Sequence, residues 1–121
     1  MEDAPAQTVQ QLAEQIREFA KERDWDQFHT PKNLAMALSV EVAEIVEHFQ
    51  WLTAEQSQRL AADKVRAVSE EIGDVLIYLA RLADVLGIDP VQAAHDKLRA
   101  NAAKYPADRV RGKALKYDQY E

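Results

Sequence analysis

Wound as a helix, the stretch Val75-Leu76-Ile77-Tyr78-Leu79-Ala80-Arg81-Leu82-Ala83 is apolar on nearly every side. A helix of that kind has to be covered all round, so it sits mid-bundle or in a subunit interface. It reads as the second half of a long helix, roughly Asp63 to Leu86, ended by Gly87. It is not a membrane span: Val75–Leu79 is the longest apolar run, and Arg81 and Asp84 soon interrupt its continuation. One subunit of 121 residues cannot easily cover the Val75–Leu86 surface, so part of it is expected to face another chain.

The remaining chain breaks into helices at well-marked points. Thr8 caps a first helix running to about Arg23, with Val9, Leu12, Ile16, Phe19 and Ala20 on one stripe. Trp25–Thr30 breaks the pattern with Trp25, Phe28 and His29. Thr30-Pro31 then starts a second helix to about Trp51, whose stripe is Leu34, Leu38, Val42, Ile45, Val46 and Phe49. Thr53-Ala54-Glu55-Gln56 fits a capping box and a short helix to about Ala61. Asp89-Pro90 opens the last helix and Tyr105-Pro106 ends it. With 3 Gly and 4 Pro beside abundant Ala, Leu, Glu, Gln and Arg, nothing favours strands. The expected architecture is all-α: a bundle of four main helices plus a short one, assembled as a homo-oligomer. Residues 1–106 form one domain. Residues 107–121, with Arg109, Arg111, Lys113 and Lys116, form a basic tail or wrapping arm.

Charge narrows the partners. A net charge of −6 argues against a polymeric nucleic acid, which demands a basic face. A small phosphorylated ligand stays open, because a metal ion can supply the positive charge. The absence of Cys excludes disulfide and thiolate chemistry. The start, MEDAPAQTVQ, has neither a charged nor an apolar leader segment, so the expected compartment is the cytoplasm, with no membrane partner.

The acids carry the chemistry. Glu41 and Glu44 are three apart on the second helix, and Glu71 and Asp74 three apart on the long one. Residues at that spacing share a helical face, about 5–6 Å apart at Cβ. If the two helices pack antiparallel, the pairs face each other across a groove. Both pairs interrupt apolar sequence, and ionised carboxylates buried together need a cation. Oxygen ligands without Cys suit Mg²⁺ or Mn²⁺ rather than Zn²⁺. Any one of these acids, taken alone, reads as a solvated residue on an amphipathic helix. Spacing also leaves Glu70, four before Asp74, as an alternative to Glu71.

The segments Glu41-Val42-Ala43-Glu44 and Glu71-Ile72-Gly73-Asp74 resemble the two halves of the MazG-like pyrophosphohydrolase motif. Around them, Glu22–His29, Pro31 and Asn33, Phe49-Gln50-Trp51, Asp74–Leu79, Asn101 and Tyr105-Pro106 look like its dCTP pyrophosphatase branch. The likeness covers about residues 10–106. It implies an all-α fold and hydrolysis of a nucleoside triphosphate, dCTP or a modified dCTP foremost, to the monophosphate and pyrophosphate by attack at the α-phosphate. It implies Glu41, Glu44, Glu71 and Asp74 as metal ligands, and so favours Glu71 over Glu70. It implies Trp25 and Trp51 as base-binding aromatics, His29 beside them, and Tyr78, Lys97 and Asn101 near the substrate. It implies a dimer or tetramer, of which a tetramer built from dimers is favoured. Without the resemblance each Trp reads as packing, His29 and Tyr78 as structural groups, and Lys97 as a solvated lysine.

The chemistry fits. A triphosphate cannot approach four carboxylates unaided, and Mg²⁺ joins the two sets of negative charge. A glutamate then accepts the proton of the attacking water; Glu44 is the first choice. A ferritin-like di-metal protein would need Glu-x-x-His, which neither His48 nor His95 completes. His95-Asp96 alone is a weak sign of an HD phosphohydrolase. The non-enzymatic alternative is a helical dimerisation or regulatory module whose acids decorate its surface.

Overall fold

The computed structural model describes residues 4–114, and every described element is helical. Four long helices occur: α1 (Val9–Glu22), α2 (Pro31–Phe49), α4 (Ala62–Leu86) and α5 (Pro90–Lys104). Two one-turn helices, α3 (Ala54–Ser57) and α6 (Ala107–Val110), complete the set. Each expected main helix is present, and so is the short one after Thr53. α6 lies in what reads as tail. It is a single turn closed by Arg109 and Val110 N–H donating to Pro106 O, too short to leave a periodic signal. Residues 115–121, the rest of the expected tail, and residues 1–3 lie outside the described residues.

Local chemistry sets the boundaries. Thr8, Thr30 and Thr53 accept from the backbone N–H three residues on, and Asp89 from Val91 and Gln92. These bonds satisfy donors that a helix start leaves orphaned. Thr53 and Gln56 complete a reciprocal capping box. At the other end of α4, Gly87 takes φ +70°, and Ile88 N–H reaches Ala83 O at 2.8 Å. That is a Schellman stop, in which the left-handed residue costs a Cβ-bearing side chain most. A Cβ on Gly87 would meet no atom within 4 Å. Gly87→Ala is therefore expected to lose about 1 kcal/mol through backbone conformation alone. Urea unfolding checks it: a shifted midpoint with an unchanged slope.

Packing divides the chain after Ile88 into two compact units. In the first, α4 packs against both α2 and α1. Leu34 from α2, Ala20 from α1, and Val68, Ala80 and Ala83 from α4 are its buried apolar residues. Small side chains at Ala20, Ala80 and Ala83 let backbones approach closely, and Leu34 fills what remains. Arg17 ties α1 to α4 with a two-pronged bond to Asp84, Nη2 at 2.6 Å and Nε at 3.0 Å. The second unit carries α5 and α6, and neither has a buried residue. No helix among the described residues is long and apolar enough to cross a membrane.

Candidate metal centre

α2 and α4 run antiparallel. His29, before α2, touches Arg81 late in α4, while His48, at the end of α2, is 3.8 Å from Glu71. This register brings both acid pairs to one point. One oxygen each from Glu41, Glu44, Glu71 and Asp74 lies within 4.8 Å of all the others. Glu41, Glu44 and Glu71 are half-buried; Asp74 is exposed. Glu70 is exposed and stands outside the cluster.

The cluster is electrostatically unfavourable as it stands. Glu41 Oε2 and Glu71 Oε2 are buried and have no hydrogen-bond partner. Burial, a hydrogen bond shared with Glu44, and repulsion from Glu44, Asp74 and Glu71 push the Glu41 carboxyl above the usual range. The Glu71 carboxyl is pushed up by its hydrogen bond with Glu44, then by burial and the charges of Glu44 and Asp74, with His48 offsetting part. A divalent cation would offset both the burial and the mutual repulsion. The donor set is all hard oxygen, which fits Mg²⁺ or Mn²⁺. Oxygens on one octahedral Mg²⁺, at about 2.1 Å each, stand roughly 3.0–4.2 Å apart, so little closure is needed.

The aromatic break between α1 and α2 is a built turn. Just past α1, Asp24 takes φ +55°, while Trp25 N–H donates to Ala20 O at 2.9 Å. Asp24 thus fills the left-handed place usually taken by Gly, which a short polar side chain tolerates. One 3₁₀ turn follows at Asp26–Phe28, and Asn33 Nδ2 ties it to α2 by donating to Phe28 O at 3.0 Å. Trp25 packs edge-on to Phe19, with ring centroids 5.7 Å apart, and stands 6.3 Å from His29. His29 Nδ1 accepts from Arg81 Nε at 3.0 Å.

The other expected site residues are more scattered. Tyr78 is half-buried one turn after Asp74. Trp51, just beyond α2, is 87% exposed, so it is no part of this chain's core. Among the described residues no ring contact joins Trp51 to Trp25. Lys97 is exposed and Asn101 half-buried, one turn apart on α5 of the second unit. Arg81 was not singled out for the site from sequence. Its signal was a permanent charge inside the most apolar stretch, and such a group needs partners.

Two acid pairs converging from antiparallel helices define an all-helical protein with a carboxylate cluster suited to a divalent cation. More narrowly, the chain belongs to the MazG-like family, whose model matches residues 36–119 and so spans all four acids. The rat protein dCTP pyrophosphatase 1 (Rattus norvegicus) is 43% identical over 116 residues, covering 94% of this chain and 68% of the rat protein. The human protein of that name (Homo sapiens) is 40% identical over 118 residues, covering 96% and 69%. A pyrophosphatase crystal structure from Archaeoglobus fulgidus superposes with a TM-score of 0.77 at 40% identity, covering 88% of this chain and 99% of that one.

Proposed function

We propose that the chain is a nucleoside triphosphate pyrophosphohydrolase that uses Mg²⁺ or Mn²⁺ held by Glu41, Glu44, Glu71 and Asp74. The single observation behind this reading is the four-carboxylate convergence with two orphaned buried oxygens. The names of the rat and human relatives make dCTP, or a modified dCTP, the leading substrate. Bound at these acids, the cation would neutralise triphosphate charge, polarise phosphoryl oxygens and make water more acidic. Glu44, one of the four converging acids, is the first choice to take the proton from water. The water oxygen bonds to the α-phosphorus, the α–β bridge breaks, and pyrophosphate leaves. Positioning and charge neutralisation suffice, so no covalent nucleophile is needed. Trp25 and Trp51 offer flat faces to the base, His29 and Tyr78 polar edges; Lys97 and Asn101 belong to the set by resemblance alone. The proposed catalytic domain is 1–106 and the proposed compartment the cytoplasm.

A panel of deoxy- and ribonucleoside triphosphates with Mg²⁺ tests this. Pyrophosphate and monophosphate are expected, and in ¹⁸O water the label should enter the monophosphate. Orthophosphate, or label in pyrophosphate, would refute the bond and atom assigned. No product from any triphosphate would leave a non-catalytic dimerisation or regulatory module as the better reading.

Assembly belongs to the same proposal. Val65, Ile72, Leu76, Leu79 and Leu86 follow one face of α4, yet each is 41–54% exposed. A stripe of that size implies a partner surface, here a second copy in a dimer or, as favoured, a tetramer. Sedimentation velocity should show the oligomer, and Leu76→Asp with Leu79→Asp should reduce it to monomer.

A further inference from the structure

Among the described residues Arg81 is the buried charge, and each of its three nitrogens has a partner. Nη2 donates to Asp26 Oδ1 at 2.7 Å, Nε to His29 Nδ1 at 3.0 Å, and Nη1 to Asp84 Oδ2 at 3.5 Å. Asp84 is fixed in turn by the two bonds from Arg17. A guanidinium has donors only and keeps its charge. The nitrogen it faces must therefore be an acceptor, which places the hydrogen of a neutral imidazole on Nε2. No hydrogen bond among the described residues engages His29 Nε2.

We propose that Arg81 is a positioning residue that locks His29 as a neutral Nε2–H donor, and that this donor reads the N3 acceptor of a cytosine base. The base-reading part rests on the hydrolase reading above. Its placement comes from the helices. Arg81 follows Asp74 by seven residues, two turns along the same face of α4 and about 10 Å away. Long side chains on a helix lean toward its N-terminus, here toward the carboxylates. A nucleotide with its phosphates at the acids would carry its base about that far, beside His29 and the face of Trp25. Burial and the Arg81 charge both hold the His29 imidazole below its ordinary range, which keeps it uncharged at neutral pH.

A locked donor discriminates. At N3 cytosine offers an acceptor, whereas uracil presents N3–H, a donor opposed to a donor; O2 accepts in both bases, so the discriminating contact is the one to N3. A site built around one polar partner rejects the analogue that leaves it unpaired.

The test has two readouts. In ¹⁵N spectra of the imidazoles, assigned with His29→Gln, His29 should show an unprotonated Nδ1 and a protonated Nε2. Arg81→Lys should mix the tautomers and lower the dCTP-over-dUTP ratio of kcat/KM about tenfold. Asp26→Asn loosens the same guanidinium from its exposed side and replaces Arg81→Lys if that variant does not fold. His29→Gln, whose amide nitrogen stands near the Nε2 place, should keep more discrimination than His29→Ala. A wild-type His29 with its proton on Nδ1, or a mixture, would overturn the lock. Shifted tautomers with unchanged discrimination would overturn the base reading. If the chain hydrolyses no triphosphate the hydrolase reading fails by itself, and discrimination is then read from dCTP and dUTP binding through the same nitrogen shifts. Equal binding there overturns the base reading too.

Discussion

Glu41→Gln and Asp74→Asn should each cut triphosphate turnover more than about a hundredfold, since even groups one layer out from a bound metal cost 10- to 100-fold. Each change keeps size and shape and removes one charge. The fold should survive, because the α1, α2 and α4 contacts rest on Ala20, Leu34, Val68, Ala80 and Ala83. Ionised Glu41 is disfavoured where it sits, so its amide should leave the metal-free protein no less stable. The paired measurement is pyrophosphate release against helical circular dichroism. Glu70→Gln is the control: exposed and outside the cluster, it should change neither. Full activity in both cluster variants would strike these acids from the ligand set.

Much of the fold was legible because its boundaries are local. Thr8, Thr30, Thr53 and Asp89 each bond to backbone within three residues, so their meaning is written beside them. Gly87 is read the same way. Ala61, the residue before α4, offers no side-chain cap, which left that start to be placed at Asp63 rather than Ala62. Asp24 in a left-handed conformation had no signal, since Asp is equally at home in ordinary turns. The 3₁₀ turn at Asp26–Phe28 is held by Asn33 from the following helix, beyond its own residues.

The candidate site was half legible for a related reason. Spacing alone pairs Glu41 with Glu44 and Glu71 with Asp74, but it equally pairs Glu70 with Asp74. Only the side of α4 that meets α2 separates Glu71 from Glu70, and that is a tertiary fact. The Arg81 bonds to His29 and Asp26 join residues 52 and 55 positions apart. No periodicity reports such contacts. What sequence did hold was the anomaly, a cation among leucines and alanines that had to be paired somewhere.

Metal-free protein should lose stability from the acid cluster as pH rises, and Mg²⁺ should restore it increasingly over the same range. Glu41 and Glu71 have folded pKa values raised above the ordinary 4.5. Between the ordinary and raised values the native state binds more protons than the unfolded chain. Stability therefore falls with rising pH, starting near 4.5 and ending once the raised values are passed. Asp84 has the opposite sign, because Arg17 lowers its pKa, but its window lies below 3.8. His29, lowered from 6.5, also opposes the trend up to that pH. The clean quantity is thus the stability of Glu41→Gln minus that of wild type, in which Asp84 and His29 cancel. That difference should grow with pH from about 4.5 and then level off. Mg²⁺ competes with the same protons, so its stabilisation of wild type should grow in parallel, reaching about 2.7 kcal/mol at a hundredfold excess over Kd. Glu41→Gln should forfeit most of that gain. A difference flat in pH would overturn the raised proton affinity at Glu41, and an equal Mg²⁺ response in both proteins would strike Glu41 from the cation's ligands.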